Sequence, residues 1–207
     1  MNLASRRLPL AALGSIRRGY VPPSRGTEKR RQSHGAPRLA LQAGDIAPDG
    51  TVAWAALPRV TPAFDASRYQ IREGNVLIPL RSARPTAVVA RDVPPDVIAM
   101  GHWAVISPDS RIADPDYLAW YINHPTTAAR LSGLMQGTNL RFLSISTLRD
   151  FEIELPPLDL QRRIARVHAL AERVTELERR LAAARTQLIH SLTYAALQRA
   201  VQRQADE

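Results

Sequence analysis

Phe151-Glu152-Ile153-Glu154-Leu155-Pro156-Pro157-Leu158-Asp159-Leu160-Gln161 is the stretch that decides the fold. Its first five residues alternate apolar and charged, the period of a half-buried strand. Pro156-Pro157 must end that strand, because proline offers no ladder donor and restrains the residue before it. Asp159 offers an N-cap, and from there to Glu207 the chain holds no proline or glycine. Apolar positions then step by three and four through Val167, Leu170, Val174, Leu177, Leu181, Ala184 and Leu188, a heptad seam. The spacing predicts a helix of about 40 residues, about 60 Å long. A single narrow stripe on so long a helix needs a partner to lie against.

The rest of the 207 residues suit one medium domain, and 45% hydrophobic content is enough for a core. No apolar run is long enough to cross a bilayer. The short stretch Leu8 to Leu13 between Arg6-Arg7 and Arg17-Arg18 is broken by Pro9 and makes a poor signal peptide. With no cysteine, disulfides, cysteine nucleophiles and zinc–cysteine sites are excluded, and the expected location is the cytoplasm. A net charge of +9 points to a polyanionic partner, most often nucleic acid. Lys29 is the only lysine among the 28 basic residues, a skew that genome base composition also produces.

Working back from the strand, residues 1–20 read as a short ordered start, and residues 21–37 as a mobile Pro-, Gly-, Ser- and Arg-rich loop. Leu39 to Trp54 reads as strand–turn–strand, with Asp49-Gly50 as the hairpin signal between Ile46 and Val52. Further short strands are expected at Tyr69–Ile71, Val76–Leu80, Ala87–Ala90 and His102–Ile106. Asp114 caps a helix with Pro115 at its first position, and Tyr117, Leu118, Tyr121 and Ile122 share one face. Pro125 breaks it, a second helix follows from Thr126 to Met135, and Ser144 or Ser146 caps a short turn before Phe151. The fold class is therefore α+β: a small mixed domain over 1–156 followed by one long coiled-coil helix over 157–204.

Glu154-Leu155-Pro156-Pro157-Leu158-Asp159-Leu160-Gln161-Arg162-Arg163-Ile164 resembles the "LPPLxxQxxI" junction of the DNA specificity (S) subunits of type I restriction–modification enzymes. Leu10 to Gly19 is similar to that family's opening "L..LG.I..G" segment. Gln42-Ala43-Gly44-Asp45-Ile46 with Asp49-Gly50 is similar to its "DI..DG" pair. Glu73-Gly74-Asn75-Val76-Leu77-Ile78 resembles its "GDILI" strand, with Asn75 where aspartate is commoner. Gly137-Thr138-Asn139 followed by Leu143-Ser144-Ile145 resembles its approach to the last strand. Only the junction is specific by itself; the others gain weight from their order.

The resemblance implies a target recognition domain that reads one half of a split site in double-stranded DNA. It also implies a helix that spaces two such domains and docks methyltransferase subunits, with a restriction subunit as a further partner. A full subunit has two domains and two helices, whereas this chain carries one of each. It is expected to pair with itself or with another half-subunit, and a two-fold homodimer would read an inverted repeat.

Sequence readout needs hydrogen-bonding side chains on groove-facing loops, with arginine suited to guanine and asparagine to adenine. Arg81, Ser82, Arg84 and Thr86, in the turn after a strand, are the first candidates, and Asn139 and Arg141 the second. Lys29, Arg30 and Arg31, beside Arg25, form a basic run better suited to phosphate. Each group also has a plainer reading, as solvated loop charges, a turn-capping asparagine or a basic tail. Trp54, Trp103 and Trp120 are expected in the core rather than as base-stacking platforms.

Catalysis is not expected. Asp114-Pro115-Asp116-Tyr117 faintly resembles the "(D/N)PP(Y/F)" loop of amino-methyltransferases, but lacks the second proline and reads more simply as a helix start. The five histidines share no ligand spacing, no phosphate-binding glycine loop occurs, and no metal or cofactor is expected. The rival reading is a non-catalytic coiled-coil adaptor or an inactive remnant without a DNA target.

Overall fold

The first and last strands of the head pair with each other, though almost the whole domain lies between them in sequence. A computed structural model describes residues 5–21, 35–47, 50–62, 65–82, 85–137 and 141–205. Asp49 of the hairpin signal, most of the 21–37 segment with Arg25, Lys29, Arg30 and Arg31, and the candidates Arg84 and Asn139 lie outside the described residues. In chain order the strands are β1 (Arg6–Pro9), β2 (Gly14–Arg18), β3 (Arg38–Leu41), β4 (Arg59–Val60), β5 (Val76–Pro79), β6 (Val88–Val89), β7 (Val97–Ala99), β8 (Trp103–Pro108) and β9 (Glu152–Leu155). The helices are α1 (Pro115–Asn123), α2 (Pro125–Gly133), α3 (Ile145–Asp150) and α4 (Leu158–Ala205). This is the α+β class with a long C-terminal helix that the sequence pattern predicts.

β1 and β9 run antiparallel, with Arg7 opposite Glu154. Their side chains form an ion pair of 2.7 Å, while Ile153 and Leu155 point inward and are buried. The alternation in the sequence is thus the alternation of the two faces. A four-stranded antiparallel sheet has the order β2-β8-β5-β6, and a smaller one the order β4-β3-β7, with β3 and β7 parallel. Leu39, Leu41, Leu77, Val97, Ala99, Trp103 and Val105 from both sheets make up one buried cluster. β2 and β8 lie so close at Gly14 that a Cβ there would sit 2.1 Å from the Ser107 carbonyl oxygen.

Asp114 caps α1 as expected, its carboxylate accepting from the amides of Asp116 and Tyr117 at 3.0 Å each. That geometry shows Asp114-Pro115-Asp116 to be a helix start. α2 starts with Pro125 at its own N-terminus, and Ser144 caps α3 by accepting from the Thr147 amide at 2.9 Å.

Several local expectations are corrected. The hairpin around Asp49-Gly50 shrinks to a single antiparallel bridge between Ile46 and Val52, because residues Ala43–Asp45 form a 3-10 turn closed by a capping box with Gln42. β3 instead pairs with the distant strands β4 and β7, neither of which local pattern marks. Ala66–Tyr69 is a 3-10 turn, where Asp65 draws the Ser67 amide into a local bond, so only Gln70 bridges to Ile98. Asp159 lies within the first turn of α4 rather than capping it, its carboxylate at the positive end of the helix dipole.

The chain divides into two compact units, Met1–Ile164 and Ala165–Glu207. The first turns of α4 belong to the first unit and are fixed there by Gln161, which is only 1% exposed. Gln161 Oε1 accepts from the Asp114 amide at 2.9 Å, while Nε2 donates to the carbonyls of Ile112 at 3.0 Å and Pro156 at 2.8 Å. In the second unit the helix runs on without a break, 48 residues in all from Leu158. Its seam residues Val167, Leu170, Val174, Leu177, Leu181 and Leu188 are each at least 50% exposed. Among the described residues no helix is long and apolar enough to cross a membrane.

Candidate nucleic-acid interface

One end of the four-stranded sheet gathers positive charge. β2 and β5 both run antiparallel to β8, with Arg18 opposite Ala104 and Pro79 opposite Trp103. The chain therefore leaves β2 and β5 at the same end at which it enters β8. The pairing continues past the strands, since Gly19 donates to the Trp103 carbonyl at 3.0 Å and Leu80 to that of His102 at 2.7 Å. A further layer is added by Phe142, which bridges both Arg81 and Gln136, and by Leu143, whose amide donates to the Leu80 carbonyl at 2.8 Å.

The consequence is that Arg18, His102 and Arg81 stand on neighbouring backbones, while Arg141 directly precedes Phe142, the residue that bridges Arg81. The two candidate loops, remote in sequence, thus meet at one bridge. Arg81 is exposed and Ser82 half-buried, with Thr86 exposed beyond them. Arg141 is exposed, and its guanidinium donates to the Ser132 carbonyl near the end of α2, which fixes the direction of the side chain.

Arg18 and His102 are absent from the sequence-based candidates. No spacing rule connects residue 18 with residue 102; only the pairing of β2 with β8 does. The Arg18 guanidinium reaches His102 Nδ1 at 3.0 Å. Burial, followed by the charges of Arg81 and Arg18, pushes the imidazole below its ordinary value. Arg17, next to Arg18 in the strand, points the other way and donates to the Arg68 carbonyl at 2.9 Å and Asn75 Oδ1 at 3.1 Å. Asn75, where the resemblance favours aspartate, is held in turn by Ser107 Oγ at 3.0 Å.

Ion pairs among the described residues take up Arg7, Arg59, Arg91, Arg111, Arg179 and Arg180, and none involves Arg18, Arg81 or Arg141. Arg18, Arg81 and Arg141 thus bring positive charge to this end of the sheet with no carboxylate partner among the described residues, a state that other arginines of the head, such as Arg6, Arg72 and Arg149, share. Trp103 lies 1% exposed behind it, and Trp54 packs partly against the same core with its indole N–H donating to the Arg91 carbonyl at 2.8 Å. Trp120 is half-buried in a ring cluster with Tyr117, Tyr121 and His124. Tyr117 donates to the Glu154 carbonyl at 2.6 Å, and burial pushes its hydroxyl well above the usual tyrosine value. Among the described residues, no group of three histidine, aspartate or glutamate side chains is placed to hold a metal ion.

Solved structures share this architecture. The type I restriction–modification S subunit from M. genitalium superposes with a TM-score of 0.53 at 13% identity, covering 83% of this chain and 40% of that one. The HsdS subunit from Thermoanaerobacter tengcongensis does so with 0.61 at 22% identity, covering 84% and 44%. The chain has an S-subunit fold. A chain from a structure addressing complex assembly and conformational transition of the type I restriction–modification system adds a TM-score of 0.59 at 23% identity, covering 89% and 47%. This chain therefore spans less than half the length of each of these three chains. No protein-family model matches it, and no curated protein matches it by sequence.

Proposed function

We propose that this chain is a DNA specificity subunit: a target recognition domain on a spacer helix that directs a type I methyltransferase or restriction complex to its site. The observation that carries the reading is the S-subunit fold combined with a strand-end surface whose arginines lack carboxylate partners. In this reading Arg81, Ser82 and Arg141, with Thr86, Arg84 and Asn139, supply the polar groups that meet base edges, while Lys29, Arg30 and Arg31 lie on phosphates. The chain performs no chemistry itself; methyl transfer and cleavage belong to the subunits it would bring to the site.

The exposed seam of α4 supports pairing with a second copy. Apolar side chains at Val174, Leu177 and Leu181, all at least 50% exposed, gain by burial against an equivalent stripe. Two heads held at a set separation would read an inverted repeat with a fixed spacer.

Retention of DNA as salt is raised tests the reading. A specific target should stay bound at moderate salt when random duplexes have already dissociated. Equal, steep loss for all sequences would favour the adaptor reading, in which the positive charge is incidental.

A further inference from the structure

Arg18, His102 and Arg81 come from three adjacent chain segments, the end of β2, the start of β8 and the turn past β5. Arginine can only donate, so the 3.0 Å contact from Arg18 requires His102 Nδ1 to be an acceptor. The free ring is thus neutral and carries its proton on Nε2. A second proton at Nδ1 would be repelled by Arg18 and Arg81 and would break the bond from Arg18. The groups facing the ring that shift its titration are these two arginines, one from each flanking segment, and none is a carboxylate. Positive side chains packed together without a counter-charge are unfavourable until an anion joins them.

We propose that Arg18, His102 and Arg81 form one phosphate site for the DNA backbone, and that it takes up a proton as the phosphate binds. The proposal rests on the DNA-binding reading above and adds its proton linkage. When the phosphate arrives, Arg18 moves its N–H from the imidazole onto a phosphate oxygen. Nδ1 is then free to take a proton from solvent, and the imidazolium becomes a third donor to the anion. His102 acts here as a conditional contact, neutral while the surface is empty and charged when it is filled. The sign follows from this. The proton affinity of the ring is lowered in the free protein and raised in the complex, so DNA binds more tightly at acidic pH and loses affinity as pH rises through the interval between the two states.

The test is a proton NMR titration of the histidines in the full chain, with and without a short random-sequence duplex at low salt. Binding is followed independently by fluorescence anisotropy. The duplex should raise the His102 midpoint by about one unit, a tenfold preference for the protonated ring. Arg18→Gln and Arg81→Gln should each lower the salt slope of binding by about one. His102→Gln should bind DNA with little dependence on pH. A His102 midpoint that stays the same while the duplex is bound would overturn the proposal. If the duplex does not bind at all, the DNA reading fails separately. Pyrophosphate then decides the site: a raised His102 midpoint supports an anion site, and an unchanged one rejects it.

Discussion

Ile106 and Leu177 are aliphatic residues within regular structure, yet the first is fully buried and the second 50% exposed. In the head, strands from distant parts of the sequence close over a core that buries most of its large apolar side chains, with Ile112 and Leu134 among the few left exposed. In α4 beyond Ile164 the apolar residues form a stripe that the described chain leaves exposed. The head buries its apolar residues in its own core, and the tail leaves an apolar stripe open, which in the proposed reading meets a partner. The same kind of substitution should therefore have opposite consequences in the two regions.

The largest expected effect lies in the tail. Leu177→Asp with Leu181→Asp should weaken self-association by more than about 100-fold, because the charges would be buried without partners in a paired seam. Light scattering should report the monomer mass, while the melting transition of the head stays in place. An unchanged dimer mass would show that the seam is not the interface. In the head, Ile106→Ala should cost about 2–5 kcal/mol through lost contacts and a residual cavity, read as a lower urea midpoint. If the two regions differ as described, that substitution leaves the self-association of the folded protein unaltered.

Gln161 lies where the regions meet in sequence. Gln161→Leu leaves the Asp114 amide and the carbonyls of Ile112 and Pro156 unpaired, at a cost of about 2–4 kcal/mol in the stability of the head. Chemical denaturation measures this, and a loss well below it would mean that water replaces the amide. The smallest effect belongs to Glu176, whose carboxylate is held down to about 2 by hydrogen bonds from Arg179 and then Arg180. With the folded value depressed, its contribution is present above the ordinary carboxylate range and is lost only as pH falls towards 2. Glu176→Gln should slightly reduce helicity by circular dichroism at low salt, and the difference should vanish at high salt.

How legible these features were in the sequence depended on whether they were local. The strand–proline–helix junction, the Asp114 cap and the heptad seam are written in consecutive residues, and the structure shows each element in place. β3 pairs with β4 and β7 through partners remote in sequence, so the tempting Asp49-Gly50 signal between Ile46 and Val52 pointed to a hairpin where only a bridge forms. The Tyr69 segment failed for a related reason, since Asp65 and Ser67 offer the backbone a local turn in place of a ladder. The candidate surface was half readable. Arg81 and Arg141 stand out as polar loop residues, but their meeting through Phe142 depends on tertiary pairing. Arg18 and His102 carry no sequence signal, because a register of β2 on β8 has to be known before they become neighbours.

The central claim is that one reading head on a helix works together with its twin at a set separation. Methylome sequencing of cells with and without this gene tests it most directly. The account predicts one modified motif that depends on the gene, two inverted half-sites flanking a spacer of constant length. An identical methylation pattern in both strains would contradict it.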